Sequence, residues 1–414
     1  MCRSDSAGRV LAGLAATMVL VSGCGANSGT PRAETPDLTQ LDVGGYSIEP
    51  LAEPPDGDEA YGRLIESARM ADTLVIPSTI DPALTSNWVA PVPTPMQTVG
   101  ILADAARGTL ISHGMVAGVS VASADVPLDS LPRVGTSRAM RITVLRMRDD
   151  AAAQDAARDV DAADFAVSPD NVAVTIPNHA EAHSHWRPQV PTLAASLAHG
   201  PYLVTVFIAQ PSTTDLAALT AAAAAAFAAE LPPLDSLAPT PADKLSALSL
   251  DRDGMLRRMV PARPGKWPYP GSSRQDFGSI AGWGGFRRTT GIVFGPAIAQ
   301  AAYRQGDTHD LPRAERIARI GPETLSRFAD AVAARSIFQK MVVFDASNGS
   351  PVAAPKGVPD AVCVQDSTVA ELAREQQYGC DVLDGRYLAK VYGSSAQAVQ
   401  QKAAAEYALL VKTR

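Results

Sequence analysis

The sequence predicts an α+β protein built from two related compact domains. Predicted strands alternate with predicted helices along most of the chain, a proline-rich break lies past its middle, and a similar strand-turn-helix unit occurs on each side of that break. The chain has 414 residues and is 46% hydrophobic, so each domain can bury a core. This order of elements is typical of α/β sandwiches of ferredoxin-like type.

The repeated unit is the main evidence for two related domains. GPYLVTVF at 200–207 precedes an alanine-rich helix predicted at 216–231, and GRYLAKVY at 385–392 precedes a helix predicted at 396–410. A direct alignment of the two octapeptides gives four identities. The competing interpretation is a chance similarity between two strand-turn-helix units.

Further elements follow from hydrophobic periodicity and capping residues. The segment Met140–Phe165 alternates with period two and then becomes an amphipathic helix, with Asp149 or Asp150 as its N-cap. The remaining predicted elements are a strand at 171–177, a helix at 321–338 and a strand at 338–346.

The N-terminus has the pattern of an export signal. Arg3 and Arg9 precede an apolar run of twelve residues, too short for a spanning helix, which needs about 20. The run ends in Val-Ser-Gly-Cys, which resembles the lipobox of bacterial lipoproteins. The resemblance implies cleavage before Cys24 and a diacylglyceryl anchor on it, which attaches the protein to the outer face of the cell membrane. The alternative is a soluble secreted protein with a free cysteine.

The composition of two segments indicates the domain boundaries. A Gly/Ser/Thr/Pro-rich tether follows Cys24, and PPLDSLAPTPADK at 232–244 reads as a linker. The predicted organisation is a signal peptide at 1–23, a tether at 24–40, an N-terminal domain at 41–231, a linker at 232–249 and a C-terminal domain at 250–414. Loss of the signal peptide changes the formal charge from -7 to -8, so nucleic acid is not an expected partner.

Two cysteines remain after the lipid acceptor is set aside. Cys363 and Cys380 are predicted to form a disulfide in an oxidising compartment. Thr368 and Glu371 fit a capping box between them, so the bridge would join the two ends of a short helix. The competing two-cysteine metal site lacks CxxC spacing.

NHAEAHSHWRP places His179, His183 and His185 within seven residues. On a helix the first two would share a face, and on a strand the last two would, so no regular element directs all three at one ion. The flanking Pro177 and Pro188 favour an irregular solvated loop over a metal site. No metal and no cofactor are predicted.

The segment 262–294 is rich in aromatic residues, glycine and arginine. Glycine lets a ligand approach the backbone, rings stack on sugars or acyl chains, and arginines bind phosphates or carboxylates. Candidate ligand-binding residues are Trp267, Trp283, Arg287 and Arg288. The alternative is a loop whose rings fill the core of its own domain.

The chain resembles a family of uncharacterised two-domain lipoproteins of actinobacteria, defined only as domains of unknown function. The resemblance rests on the lipobox, LDVGGY at 41–46, the cysteine pair and the closing GRYLAKVYGSSAQAVQQKAAAEYALL. It implies location and architecture, and it implies no activity.

No catalytic motif is present: GxSxG, SxxK, the phosphate-binding GxxxxGK[ST] and HExxH are all missing. We therefore expect a non-catalytic binding or accessory module on the membrane, with an envelope lipid, a glycan or a protein as partner. The alternatives are an envelope hydrolase with a dispersed active site and a carrier of envelope lipids. A deep apolar cavity would favour the carrier, and converging acid, base and nucleophile would favour the hydrolase.

Overall fold

Two antiparallel sheets, one in each half of the chain, organise the structure. The structure is a computed structural model that describes residues 36–55, 57–98, 100–126, 132–211, 215–274, 287–301, 312–366 and 376–414. Residues 38–414 form one compact unit. The predicted α+β class is confirmed.

Within the described residues, the N-terminal sheet has seven strands in the order β1-β2-β3-β7-β6-β5-β4. Its strands are β1 (Ser86–Pro91), β2 (Ala117–Ala124), β3 (Ala139–Arg146), β4 (Val172–Ala173), β5 (His183–Trp186), β6 (Thr192–His199) and β7 (Tyr202–Ala209). The helices of this half are α1 (Glu59–Met70), α2 (Ala106–Ser112), α3 (Asp150–Phe165) and α4 (Leu216–Leu234).

In the part of the chain that the structure describes, the C-terminal sheet has eight strands in the order β12-β13-β14-β15-β11-β10-β9-β8. Its strands are β8 (Gly271–Arg274), β9 (Arg287–Phe294), β10 (Ala314–Ile320), β11 (Glu323–Phe328), β12 (Ser350–Val352), β13 (Ala361–Gln365), β14 (Tyr378–Asp384) and β15 (Tyr387–Gly393). The helices are α5 (Pro296–Ala301), α6 (Ala331–Asn348) and α7 (Ala396–Lys412).

The two sheets repeat one topology. The order β1-β2-β3-β7-β6-β5-β4 corresponds strand for strand to β9-β10-β11-β15-β14-β13-β12, with β8 added beside β9. Along the chain, one helix follows the equivalent strands β3 and β11 (α3 and α6), and another follows the equivalent strands β7 and β15 (α4 and α7). The octapeptides compared in the sequence lie in β7 and β15, so their similarity coincides with a structural repeat.

Each sheet has helices on both faces. Along β7, Leu203 joins a cluster with α2 and α3, whereas Val204 and Val206 join a cluster with α1 and α4. On β15, Leu388 belongs to the cluster that includes α6, whereas Ala389 and Val391 pack with α7. The cluster of α1 and α4 continues into that of α6, so the two halves share one hydrophobic core.

Aspartate N-caps start four of the described helices. The carboxylate of the cap accepts a hydrogen bond from a backbone N–H two residues further on in α1 (Asp58) and three residues further on in α3, α4 and α6 (Asp149, Asp215 and Asp330). The predicted cap at Asp149 is therefore confirmed. Among the described helices, α4 alone is long and apolar enough to span a membrane by length and composition, and a third of its apolar window (33%) is buried in this fold.

The sequence prediction for residues 321–346 is wrong. A helix at 321–338 and a strand at 338–346 were expected, but Glu323–Phe328 is strand β11 and Ala331–Asn348 is a single helix. β11 pairs with β10 and β15, which bury Leu325 and Phe328. The Asp330 cap fixes the helix start after this strand, and the apolar residues at 341–344 continue the helix.

At each end of the predicted N-terminal domain, a segment makes contacts that the sequence did not predict. In the expected linker, α4 continues to Leu234, and Thr240 donates from its backbone (3.0 Å) and hydroxyl (2.7 Å) to buried Glu66 of α1. Residues 41–49, expected at the start of the N-terminal domain, lie along α7, where the Gln401 amide donates to Asp42 at 3.1 Å.

The predicted disulfide is confirmed. Cys363 and Cys380 are bonded and are directly opposite each other on β13 and β14. The bridge therefore joins two antiparallel strands at their paired positions. The capping box expected between them, at Thr368 and Glu371, lies outside the described residues.

Candidate functional site: a cleft under α3

A cleft of about 410 Å³ lies between α3 and the N-terminal sheet. Its floor is the sheet face of β3, β7 and β6 that carries Arg141, Thr205 and Ser196, and its sides come from α3, residues 101–106 and β5. Most of its exposed lining is apolar, and it includes Ile101, Leu102, Ala106, Val134, Val160, Val167, Trp186, Val190 and Phe207.

Small side chains on the floor explain the space. Thr192, Ala194 and Ser196 alternate along β6 and line the cleft, and Thr205 is the cross-strand partner of Ser196 on β7. Because protein interiors are close-packed and contain few voids, a cleft of this size forms only where the side chains of the floor are too short to reach α3. The cleft follows from four short side chains on adjacent strands.

His185 is the central polar residue of one side of the cleft. It is 6% exposed, and its Nδ1 lies 2.8 Å from Asp161 Oδ1, whereas its Nε2 lies 3.8 Å from Asp164 Oδ2. The ring of Phe165 contacts the imidazole edge-on at 5.6 Å. Burial raises the pKa of Asp164 above its usual range. Each imidazole nitrogen therefore faces a carboxylate of α3, which attaches β5 to the helix.

Arg141 occupies the opposite end of the floor, on β3, with β7 and β6 between it and β5. It is 5% exposed, and its guanidinium donates to the carbonyls of Gly100 (3.0 Å) and Ile101 (3.4 Å). Burial lowers its pKa to about 9. Arg141 thus holds the loop that forms one wall of the cleft.

The three histidines of the sequence motif do not converge. His183–Trp186 forms strand β5, so the expected solvated loop is wrong for these residues. His183 is exposed, His185 is buried against α3, and His179 packs at 5.4 Å against Phe227 of α4. Pairing of β5 with β6, which the local sequence does not reveal, buries the second half of the motif. Within the described ranges, no group of three or more His, Cys, Asp or Glu side chains could hold a metal ion.

The aromatic segment divides between core contacts and residues outside the described ranges. Trp267 packs against the C-terminal core, and Tyr269 stacks on Tyr61 of α1 with ring centroids 5.1 Å apart. Arg287 and Arg288 begin strand β9, where only their backbone is described. Trp283 lies outside the described residues, as does Cys24.

A second polar cluster is buried in the C-terminal half. Lys390 Nζ lies 3.0 Å from Asp381 Oδ2 and 3.2 Å from Asp345 Oδ2. Both aspartates are almost fully buried, and desolvation raises the pKa of Asp381 to about 7. The ammonium is positioned between the sheet and α6.

Sequence reasoning singled out His185 but missed the other polar residues of the cleft. Two signals were available: Arg141 and Thr143 alternate with apolar residues in a strand that was correctly predicted, and Asp161 and Asp164 are spaced to share a helix face. Neither signal shows that these residues meet His185, since that depends on strand order.

Two domains of one family cover most of the chain. The domain of unknown function DUF7373, N-terminal, matches residues 53–250, and DUF7373, C-terminal, matches residues 255–413. The chain belongs to the DUF7373 family. The two-domain organisation expected from the sequence is thereby confirmed, and the cleft lies in the N-terminal DUF7373 domain.

Other comparisons add little to the DUF7373 assignment. The extracellular domain of PknH from Mycobacterium tuberculosis is 14% identical over 39% of this chain and 95% of that chain, with a TM-score of 0.25. No curated protein matches the chain.

Proposed function

We propose that this DUF7373 protein is a lipid-anchored lipoprotein of the actinobacterial cell envelope. In this proposal the N-terminal domain binds a small ligand in the cleft under α3, and the protein acts as a binding module without catalysis. The observation that supports binding most directly is the cleft itself.

The size and lining of the cleft are those of a ligand site. Small-molecule sites in proteins occupy about 300–1,000 Å³, have mostly apolar walls and contain a few converging polar groups. A volume of about 410 Å³ lies in the lower part of that range. The cleft is therefore suited to a compact ligand more than to a lipid with several long chains, which argues against the lipid carrier.

The hydrolase alternative has less support. A catalytic histidine needs one nitrogen within hydrogen-bonding distance of a nucleophile or an attacking water. His185 Nδ1 bonds to Asp161 at 2.8 Å, and among the described residues no hydroxyl or thiol lies within hydrogen-bonding distance of Nε2, which is 3.8 Å from Asp164. The imidazole connects β5 to α3 through Asp161, and the described residues place no nucleophile beside it.

Filling the cleft tests the binding function. Ala194→Phe places a ring over the floor, whereas Ala217→Phe places the same ring on the exposed face of α4 as a matched control. We expect native mass spectrometry with the small-molecule fraction of an envelope extract to give complexes with the wild type and the control, and none with the filled variant. Complexes that survive Ala194→Phe would contradict the proposal.

The anchor has its own test. Cys24→Ala is expected to abolish incorporation of a labelled fatty acid and to leave the protein uncleaved or released from the membrane. Persistent labelling of this variant would contradict the lipobox assignment.

A further inference from the structure

The internal repeat of the fold provides a template for the cleft. Ser196 and Thr205 are directly paired on β6 and β7, and Asp381 and Lys390 are directly paired on β14 and β15. These strands are equivalent in the two sheets. Thr205 and Lys390 also lie at matching positions, each three residues after the tyrosine of the repeated octapeptide.

The helices above these strands are equivalent too. Asp164 in α3 and Asp345 in α6 each lie fifteen residues after the aspartate that caps the helix, Asp149 and Asp330 respectively. Asp164 lines the cleft, and Asp345 contacts Lys390. One aspartate position is therefore retained in both halves.

The two halves differ in what that aspartate meets. In the C-terminal half, the Lys390 ammonium lies between Asp345 and Asp381 at 3.2 Å and 3.0 Å. In the N-terminal half, Thr205 and Ser196 replace the lysine and the second acid, and open space remains above them. The Asp164 side chain is 37% exposed, and the nearest ring nitrogen on β5, His185 Nε2, is 3.8 Å away.

The charged residues at the two ends of the cleft determine where a ligand cation would bind. Arg141 is on β3 and His185, which contacts Asp164, is on β5, three strand spacings away. With strands about 4.8 Å apart, these ends of the floor are separated by roughly 14 Å. At the β5 end, Arg187 also lines the cleft, but it is outnumbered by the carboxylates of Asp161 and Asp164. A ligand cation is therefore repelled by Arg141 and attracted towards the carboxylates of α3.

We infer that the cleft binds a small primary amine with an apolar body. The ammonium occupies the place that the Lys390 ammonium holds in the other half and pairs with Asp164. The apolar body lies against Ile101, Val160 and Trp186, which line the same cleft. This inference rests on the proposed function, because it names the ligand class of the cleft.

Binding of hexylamine and of hexanol to the purified full-length protein, measured by calorimetry, tests the inference. The two probes share one apolar chain, and only the first carries a positive charge. Since a hydrogen bond to a charged group is stronger than a neutral one, we expect hexylamine to bind at least about 10-fold tighter. Asp164→Asn should remove this preference, whereas Asp155→Asn, half-exposed on α3 and paired with Arg158, should keep it.

A second variant keeps the test independent of folding defects. Ser196→Asp combined with Thr205→Lys copies the C-terminal cluster, so the new lysine should pair with Asp164 and compete with hexylamine, and the protein should stay folded. Equal affinities for hexylamine and hexanol, or an unchanged preference in Asp164→Asn, would overturn the inference. If Ala194→Phe then blocks a ligand that is not an amine, the proposed binding function stands while this ligand class fails.

Discussion

Replacing Glu406 by glutamine should remove a large part of the pH dependence of stability. Glu406 lies in α7, is 1% exposed, and accepts one hydrogen bond, 2.7 Å long, from the backbone of Val260. Its other oxygen, Oε1, is buried and has no hydrogen-bond partner among the residues that the structure describes. Desolvation raises the pKa of this carboxyl from 4.5 to about 8. The folded protein therefore holds a proton that the unfolded chain releases.

The sign and the size of the effect follow from this pKa. Below pH 4.5 the carboxyl is protonated in both states, so it adds no pH dependence. As the pH rises towards 8, only the unfolded chain ionises, and the free energy of unfolding falls by about 1.4 kcal/mol per pH unit. The total loss reaches at most about 5 kcal/mol, and it levels off above the folded pKa. Glutamine has no proton to lose, so its advantage over glutamate should grow across this window.

Urea unfolding between pH 5 and pH 8.5 measures this difference. Glu406→Gln should gain several kcal/mol relative to wild type over the window, whereas Glu181→Gln, whose side chain is 65% exposed, should change little. Burial also raises the pKa of Glu230 in α4 to about 8. Combining Glu230→Gln with Glu406→Gln should therefore reduce the pH dependence of the free energy of unfolding further. A constant difference between Glu406→Gln and wild type at every pH would refute the reasoning.

Three further changes test the packing. Reduction of the bond between Cys363 and Cys380 should lower the free energy of unfolding by about 3 kcal/mol, measured as a shift of the urea midpoint with reductant; an unchanged midpoint would contradict it. Asp330→Ala should cost about 1 kcal/mol, because the backbone of Ala333 loses its cap, and Asp330→Asn, which keeps an acceptor, should cost less. Trp267→Ala should lower the thermal midpoint and reduce the free energy of unfolding by ~2 kcal/mol, which is less than for a fully buried ring because Trp267 is only partly buried. An unchanged midpoint would show that its contact with the core adds little stability.

Local signals predicted the elements that local residues determine. Asp149 and the alanines behind it determine where α3 begins, and α7 follows from a similar pattern after Ser395. At 321–346 the same approach failed, because a strand of six residues looks like a helix start until its partners β10 and β15 are known. The disulfide was predictable from the cysteine count, although its position across two strands was not.

The cleft was beyond sequence reasoning for a different reason. Arg141, His185 and Thr205 come from β3, β5 and β7, whose order in the sheet differs from their order in the chain. Strand register, which sequence periodicity leaves open, then decides which side chains share the floor. The sequence shows each of these residues, but it does not show that they line the same cleft.

The segment that lies along α7 shows that the C-terminal domain is completed by residues from far upstream. Val43, Tyr46 and Ile48 cover a small apolar cluster that contains Ala405 and Leu409. A recombinant fragment that starts at residue 53, where the N-terminal family match begins, lacks this cover. It would leave the outer side of α7 bare to solvent, and aggregation of such a fragment would say nothing about the fold of the intact chain.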